Sequence, residues 1–431
     1  MLVIVLWIAF ALVSIALYFA DSMSSELRAS DNRISGLAAD QAIDGAQRYV
    51  SYILTTYATN GVVPDLSEYK AGSVPVGDAH FWIIGRDPSG KPNTEPYFAL
   101  IDEASKLNLN RANTNMLSQL PNMTPDFAAA IVDWRSTNGP SAYALDYAPL
   151  NYAPKKAPFE TVDELRLVYG ASISALVGED VNRNGVLDGS EVDENHNGQV
   201  VPGIFEYVTV FSREPNMHSD GTPLTNVNSR AQLSQALQAQ LGASRASQIM
   251  RSLTGRAGTN GVQAVRTTTF SNLLQFYLRS GMTSTEFALV ANGLTASASL
   301  YTYGRVNINT ANAVVLSCLP GMDPGTAQQL VAYRQSNPNN LGSIAWIVDA
   351  LGASSQVVQA LAQGDYITTH SYQFTADVAA VGPYGRGYRR TRFVFDLSAG
   401  SVQVVYRQDL SRLGWALGKT VRNASATKEA T

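Results

Sequence analysis

The first twenty residues constrain this chain most, because they form one apolar run in which Ser14 is the only clearly polar residue. An α-helix rises about 1.5 Å per residue, so about 20 apolar residues cross a hydrocarbon layer about 30 Å thick. A cleaved secretory signal would need a basic start, a shorter apolar core and a small-residue cleavage site, and the run has none of these. We therefore predict that residues 1–20 form a membrane-spanning helix.

The helix is predicted to continue beyond the membrane, because no turn-forming residue interrupts the chain at Asp21. Apolar residues then recur at steps of three, four or seven, which is the spacing of one helix face. We predict one helix to about Ala58, apolar on all sides over residues 1–20 and amphipathic over residues 21–58. The predicted apolar face consists of Leu27, Ile34, Ala38, Ala42, Ala46, Tyr49, Ile53 and Tyr57.

Short aromatic and aliphatic runs near both ends of the chain predict one β-sheet that is divided by a long insertion. Residues 80–84 and 97–101 are predicted to form a hairpin, and further strands are predicted within residues 365–381, 388–397 and 401–407. The implied boundaries are 59–104 and 365–410 for the two parts of a sheet-containing domain, 105–364 for an inserted helical domain, and 411–431 for a C-terminal tail.

An internal repeat lies near the start and the end of the insertion. Residues 106–135 and 305–334 align without a gap and are identical at 13 of 30 positions. Asn or Thr before an apolar run is typical of a helix N-cap, and the shared Leu-Pro ends one helix and starts the next. Each copy is therefore predicted to be a helix-hairpin-helix unit. A weaker third echo begins at Asn226-Val-Asn228, and no prediction is built on it.

Helix-hairpin-helix units often bind DNA phosphates through backbone N–H groups, so a membrane-anchored DNA-binding or DNA-uptake protein is the alternative function. The hairpins at residues 121–125 and 320–325 disfavour it. Neither carries a lysine, and the second places Asp323 where a phosphate would lie. The formal net charge of −4 also provides no general attraction for nucleic acid. We expect no nucleic-acid partner.

The twelve residues from Asp180 to Glu191 fit the template of a calcium-binding loop. Ca²⁺ takes six to eight oxygen ligands, and short carboxylates and amides on a tight turn bring such ligands together. The alternative is an Asn-, Asp- and Gly-rich surface loop without metal. The predicted ligands are Asp180, Asn182, Asn184, the carbonyl of Val186, Asp188 and Glu191.

A second, less complete loop begins directly afterwards at Asp193. Its twelfth position is Ile204, which lacks a carboxylate, and Glu206 is the predicted substitute. The sequence therefore predicts one bound Ca²⁺ and leaves a second one open. The predicted ligands of the second loop are Asp193, Asn195, Asn197, Gln199 and Glu206.

The sequence offers no catalytic constellation, so we predict that the protein is not an enzyme. Its four histidines lie in unrelated contexts, and the only cysteine, Cys318, lies among apolar residues and is predicted to be core. An arginine cluster on a predicted hairpin is interpreted as a solvated or partner-facing strand surface. It consists of Arg386, Arg389, Arg390 and Arg392.

Several blocks, in their order along the chain, resemble the type II secretion minor pseudopilin K (GspK) family. They are the N-terminal helix and the segments at residues 102–110, 130–135, 159–170 and 306–311. The resemblance covers nearly the whole chain. It implies an α+β fold of the type IV pilin kind, in which a long N-terminal helix packs on an antiparallel sheet. It also implies a large inserted helical domain, which would contain the two repeats, and calcium binding.

The resemblance also implies a function. A member of this family is a minor pseudopilin at the tip of the periplasmic pseudopilus, which it initiates and caps for export of folded proteins across the outer membrane. The implied partners are minor pseudopilins of the I and J type in a heterotrimer, inner-membrane lipid before assembly, and the prepilin peptidase that processes the precursor. The implied location is the bacterial inner membrane, spanned once, with the body in the periplasm.

Two departures from the family pattern bear on the N-terminal helix. No basic leader ending in glycine precedes the apolar run, as expected of a mature sequence or of a late start codon. Most pilin-like subunits carry a glutamate at mature position 5, whereas this chain has Val5 and no acid before Asp21. We therefore expect a capping subunit, defined at its tip by Val5. The expected partner-binding positions of the helix are Leu6, Leu12, Leu17, Leu27 and Ile34.

Overall fold

A computed structural model describes residues 2–88, 93–253 and 269–427. Met1 and residues 428–431 of the predicted terminal segments, and residues 89–92 of the predicted first hairpin, lie outside this range. The helices are α1 Leu2–Tyr57, α2 Thr114–Leu117, α3 Pro125–Arg135, α4 Ala144–Tyr147, α5 Ile173–Val177, α6 Arg230–Leu241, α7 Ala243–Ser252, α8 Leu273–Ser280, α9 Ser284–Ala291, α10 Ala313–Ser317, α11 Pro324–Ser336, α12 Trp346–Leu351, α13 Gln356–Leu361 and α14 Gly418–Thr427. The strands are β1 Val74–Val76, β2 Ala79–Ile84, β3 Ile101–Asp102, β4 Leu107–Asn108, β5 Val208–Thr209, β6 Arg213–Pro215, β7 Thr225–Asn226, β8 Leu294–Thr295, β9 Tyr301–Tyr303, β10 Val306–Asn307, β11 Ile367–Thr368, β12 Gln373–Val381, β13 Arg389–Asp396 and β14 Gln403–Asp409.

Helix α1 is continuous over 56 residues, which confirms the prediction of one long N-terminal helix. Its buried face begins only at Ser35 and ends at Leu54, and it includes the predicted positions Ala42 and Ala46. Leu27 and Ile34 were predicted to share this face, but their side chains are 63% and 59% exposed. The sheet covers only the C-terminal part of the helix, so the apolar spacing that continues upstream has no partner among the described residues.

An antiparallel sheet packs against α1 in the strand order β1-β2-β12-β13-β14, and β3 pairs with one end of β12. The central strand β12 is buried at all nine residues. The predicted hairpin of residues 80–84 and 97–101 is wrong, because β2 pairs with β1 and β12 while Phe98 makes an isolated bridge to Ile84. The long N-terminal helix and the antiparallel sheet are confirmed as parts of a mixed α/β fold.

Among the described residues, the two largest hydrophobic cores lie on either side of the junction between the sheet and the intervening helices. The smaller core contains buried residues of α1 together with β2, β12 and β13, including Phe81, Phe374 and Phe393. The larger core runs from Leu107 to Ile367 and belongs to the segment between β3 and β12. That segment therefore buries its own apolar side chains rather than sharing those of the sheet.

The two predicted hairpins have the same geometry. Asn113 and Asn312 each cap their first helix by accepting a backbone N–H at 2.9 Å. The turns of both copies contain one residue in the left-handed region, Asn122 with φ 58° and Gly321 with φ 76°. Asparagine tolerates this conformation better than most other residues, so the first copy needs no glycine there.

The terminal arginine of each hairpin reaches back to the turn that precedes the first helix. Arg334 is buried and donates to the carbonyls of Ile308 (3.0 Å) and Ala311 (2.6 Å). Arg135 donates in the same way to the carbonyls of Leu109 and Ala112. In both copies the preceding two-residue strand pairs in parallel, β4 with β5 and β10 with β11.

The weak third echo adopts the same local arrangement. Strand β7 pairs in parallel with β8, and Asn226 accepts the N–H of Asn228 at 2.8 Å. The Asn228 side chain bonds both backbone groups of Phe270, through its amide N–H at 3.0 Å and its oxygen at 2.7 Å. In the first copy Asn110 bonds the backbone of Phe159 with the same pair of contacts.

Asp102 joins the sheet to the last hairpin. It is 5% exposed, and its Oδ2 accepts hydrogen bonds from Asn307 (3.2 Å), Thr310 (2.5 Å) and Ser371 (2.6 Å). Burial outweighs these donors and raises the pKa of Asp102 to about 6. A second buried acid near this junction, Glu214, has its pKa raised by burial to about 7.

Candidate metal-binding loops

The carboxylate of Asp180 organises the first loop. Its two oxygens accept the N–H groups of Asn184 and Gly185, each at 2.9 Å. The amide oxygen of Asn182 accepts the same Asn184 N–H at 3.0 Å, and that of Asn184 accepts the N–H of Val186 at 3.0 Å. Since the oxygens of Asp180 and Asn182 share one donor, they converge on the inside of a tight turn.

Glu191 closes the loop at its twelfth position. One carboxylate oxygen accepts the N–H of Asn182 at 3.1 Å, and the other accepts the N–H of Asp188 at 3.0 Å. The side-chain amides of Asn182 and Asn184 both donate to Asp188, at 2.5 and 2.8 Å. The structure therefore brings the residues of the first predicted ligand set into one hydrogen-bonded network.

The second loop repeats the bonds of the first. The N–H of Asn197 donates to Asp193 (3.2 Å) and to Asn195 (3.0 Å). The N–H of Gly198 donates to Asp193 at 2.8 Å, and that of Gln199 donates to Asn197 at 2.7 Å. These donor and acceptor positions lie thirteen residues after their counterparts in the first loop.

The backbone of the two loops also agrees where it is most restricted. Positions 4 and 6 are left-handed in both: Arg183 (φ 58°) and Gly185 (φ 84°) in the first, His196 (φ 56°) and Gly198 (φ 70°) in the second. Such angles are uncommon outside glycine and a few polar residues. Their recurrence at equal positions indicates one shared loop conformation.

Glu179, which sequence reasoning missed, takes the closing position of the second loop. Its oxygens accept the N–H of Glu194 at 2.9 Å and of Val201 at 2.8 Å. Val201 is position 9 of the second loop and corresponds to Asp188, which bonds Glu191 in the first. Glu179 precedes both loops, so a template read forward from Asp193 does not find it. The signal available in the sequence was an acid directly before the first loop.

Glu206, the acid predicted to complete the second loop, is engaged by Arg86. Both of its oxygens accept from the guanidinium, at 2.7 and 2.8 Å. Arg86 also lies 3.8 Å from Asp180 and donates to the carbonyl of Arg183 at 3.2 Å. Burial opposes ionisation of Glu206, but Arg86 and Lys106 outweigh it and hold its pKa below the ordinary value.

A buried arginine of the sheet, Arg390, donates hydrogen bonds to the backbone of the first loop. Arg390 is fully buried, pairs with Asp377 at 2.8 Å, and donates to the carbonyls of Asn182 (2.5 Å) and Arg183 (3.0 Å). Burial opposes ionisation of Asp377, but Arg390 and Arg392 lower its pKa well below the ordinary range.

The other arginines of this cluster also pair within the chain. Arg386 lies 3.6 Å from Asp31, and Arg389 lies 3.2 Å from Asp40, both on α1. The prediction of a solvated or partner-facing surface is therefore wrong for Arg390 and incomplete for the others. The acids that pair with Arg386 and Arg389 are far away in sequence, and the packing of α1 on the sheet brings them together. Arg392 pairs with Asp377 on the neighbouring strand.

The donor set of the first loop fits a calcium ion. Burial raises the pKa of both Asp180 and Glu191, and Arg86 offsets this only in part for Asp180. A cation between them would favour their charged forms. No group of three or more His, Cys, Asp or Glu side chains in the described ranges is arranged to hold a metal. Amide and backbone oxygens would have to complete the shell, as is usual for Ca²⁺.

The apolar half of α1 projects away from the body. Within the described residues, α1 is the one helix that is long and apolar enough to cross a membrane. Its predicted tip-defining and partner-binding residues all have exposed side chains, which no other described part of the chain covers. They are Val5 (65%), Leu6 (51%), Leu12 (62%), Leu17 (66%), Leu27 (63%) and Ile34 (59%).

Two comparisons with known proteins, one by sequence and one by structure, find similarity to type II secretion proteins. The model of the family "Type II secretion system (T2SS), protein K" matches residues 306–365, which include β10 to α13. A solved structure, "The Crystal Structure of the GspK-GspI-GspJ complex from enterotoxigenic Escherichia coli Type 2 Secretion System", is similar with a TM-score of 0.44 and 9% identity. That match covers 89% of this chain and 99% of the other. No curated protein matches the chain. The predicted resemblance to the protein K family is confirmed.

Proposed function

We propose that this chain is the K-type minor pseudopilin of a type II secretion system, and that it acts at the tip of the pseudopilus. The observation that carries the proposal is the family match over residues 306–365. The long N-terminal helix and the antiparallel sheet agree with it. In this proposal the chain initiates and caps the pseudopilus, together with other minor pseudopilins, for export of folded proteins across the outer membrane.

The exposed half of α1 would serve first as an anchor and then as an assembly surface. Before assembly it spans the inner membrane, with the body in the periplasm, after a prepilin peptidase has processed the precursor. On assembly it leaves the lipid and packs beside helices of I- and J-type minor pseudopilins. Burial of these apolar side chains against helices in place of lipid depends on close packing.

The cap role rests on the lack of a carboxylate in the apolar half of α1. A carboxylate in the apolar half would be costly in lipid unless it paired with a charge of a neighbouring subunit. The chain has Val5 at this level and no acid before Asp21. It would therefore accept subunits below and offer no ionic partner to one above.

The segment between β3 and β12 would be an inserted domain of repeated hairpins. Its separate core and the shared bonds of the hairpins at residues 106–135 and 305–334 support this proposal. The third arrangement at Asn226 would be a further copy of the same unit, since it shares the parallel strand pair and the Asn-to-Asn hydrogen bond. A domain of this size beyond the sheet would hinder addition of another subunit on top.

Calcium would stabilise this domain through the first loop. The ion would be held by Asp180, Asn182, Asn184, the carbonyl of Val186, Asp188 and Glu191, and it would supply positive charge among buried acids. The second loop would hold another ion less tightly, because its side chains are more exposed. Glu179 is the better supported closing ligand there, since it bonds this loop and Glu206 bonds Arg86.

Co-purification tests the proposed role. The full chain is co-expressed with the I- and J-type minor pseudopilins of the same system, and the membranes are then extracted with detergent. The three proteins are expected to elute together as a heterotrimer. Leu27→Asp, on the exposed face of α1, should reduce its recovery more than about tenfold, because a charge would be buried in the helix interface. Leu145→Asp is the matched control, since Leu145 is 86% exposed on the intervening segment. Absence of a heterotrimer, or equal losses for both variants, would contradict the proposal.

A further inference from the structure

The C-terminal segment lies directly against the first loop. The side-chain amide of Asn182 donates to the carbonyl of Trp415 at 3.2 Å, and that of Asn184 donates to the carbonyl of Ala416 at 3.4 Å. These contacts join residues more than 230 positions apart in the sequence. Both asparagines are buried, with 5% and 1% of their surface exposed.

The segment is held in place by the sheet. Ala416 and Leu417 are fully buried against Trp82 and Ile84 of β2, and the Trp415 ring lies 5.1 Å from that of Tyr388. The indole N–H of Trp415 donates to the carbonyl of Gly418 at 2.8 Å. The two acceptor carbonyls thus lie in a segment that is packed on the sheet.

Arg390 binds the loop and the C-terminal segment at the same time. Its guanidinium donates to the loop carbonyls of Asn182 and Arg183, and its backbone carbonyl accepts the N–H of Leu410 at 2.8 Å. The Arg390 N–H donates to the hydroxyl of Ser411 at 3.0 Å. One strand residue therefore ties together three parts of the molecule.

We propose that residues 410–417 are a positioning element of the first loop, so that calcium binding and docking of this segment strengthen each other. The inference rests on the proposed calcium role. An amide nitrogen that is held by a fixed carbonyl orients its own oxygen, and groups that orient ligands typically change metal affinity by about 10- to 100-fold. Coupling of two binding equilibria is reciprocal, so the ion must also hold the segment more tightly.

The first test uses hydrogen exchange of the full chain in detergent, with CaCl₂ or with EGTA. Calcium is expected to slow exchange of the amides in residues 410–417 at least about tenfold, and Asp180→Asn should abolish this protection. Asp220→Asn is the matched control, because Asp220 lies in an exposed surface turn, where it accepts hydrogen bonds from Thr222. It should leave the protection unchanged.

The reciprocal test measures calcium affinity by titration calorimetry. Leu417→Ala removes the buried anchor of the segment and should weaken binding at the first loop at least about tenfold, while Lys419→Ala, at an exposed position, should not. If calcium binds the wild type but leaves exchange in 410–417 unchanged, the coupling is refuted and the calcium role stands. Wild-type affinity in Leu417→Ala, with rapid exchange in 410–417, would refute it as well. If no calcium binds, the calcium role itself fails.

Discussion

At the scale of single residues, Glu179 and Glu206 show how far residue spacing can predict the acids that close a loop. A loop template finds the proposed ligands between Asp180 and Glu191 because they alternate along one short stretch. Glu179 closes a loop that begins fourteen residues later, and this closure depends on how the chain folds back. Sequence reasoning chose Glu206, whose contacts are with Arg86, 120 residues away.

Substitutions of Glu179 and of Glu206 are expected to have different effects on the number of calcium ions that the chain binds. Glu179→Gln should weaken binding at the second loop more than about tenfold, because a bidentate carboxylate is replaced by a single amide oxygen. Titration calorimetry of the full chain should then detect one ion, whereas two are expected for the wild type. Glu206→Gln serves as the comparison and should leave two binding events. A loss of the second ion in Glu206→Gln alone would support the original assignment.

At the scale of elements, the repeat was the most informative part of the sequence. Identity at 13 of 30 positions predicted the paired helices, their caps and the intervening turn. It could not predict the third arrangement at Asn226, where the two asparagines that make the shared hydrogen bonds recur but most other repeat positions do not. The hairpin of residues 80–84 and 97–101 failed because pairing with β12, almost 300 residues later, replaced the local partner.

The arginine that ends each hairpin is expected to hold it together. Arg334→Met should lower the free energy of unfolding by about 3 kcal/mol, because two buried carbonyls lose their donor. Arg135→Met should cost less, about 1 kcal/mol, since Arg135 is only half-buried and water can replace it. Urea unfolding followed by tryptophan fluorescence measures both. Arg412→Met, at an exposed turn, is the control, and a loss for Arg334→Met no larger than that of the control would contradict this role.

At the scale of the whole molecule, the junction between the two cores contains acids that resist ionisation. Asp102 has a pKa raised to about 6, and Glu214 has one raised to about 7, both by burial. The folded state therefore keeps protons that the unfolded chain has released. Composition could not predict the raised pKa of Asp102, because Asp102 becomes buried only when residues 307, 310 and 371 assemble around it.

The stability of the full chain should consequently depend on pH in a defined direction. The contribution of protonated Asp102 to the free energy of unfolding is complete below about pH 4. It is lost as pH rises through about 6, and this loss amounts to about 3 kcal/mol. Glu214 acts in the same direction up to about pH 7. Urea unfolding between pH 4 and 7 should show the stability of the wild type falling relative to that of Asp102→Asn. The exposed Asp126→Asn provides the control. A stability difference between the wild type and the Asp102→Asn variant that stays constant with pH would contradict the assignment.

The split sheet has a consequence for biosynthesis. Strand β2 ends at Ile84 and its neighbour β12 begins at Gln373, so Gln373 is translated 289 positions after Ile84 (373 − 84). Ribosomes add roughly 5–20 residues per second, so the first half of the sheet waits roughly 15–60 s for its central strand. During that interval the apolar face of α1 and the open edge of β2 are uncovered, and such edges readily pair with other chains. We therefore expect the nascent protein to be shielded, by the membrane that α1 is proposed to span or by a chaperone, until its C-terminal strands emerge.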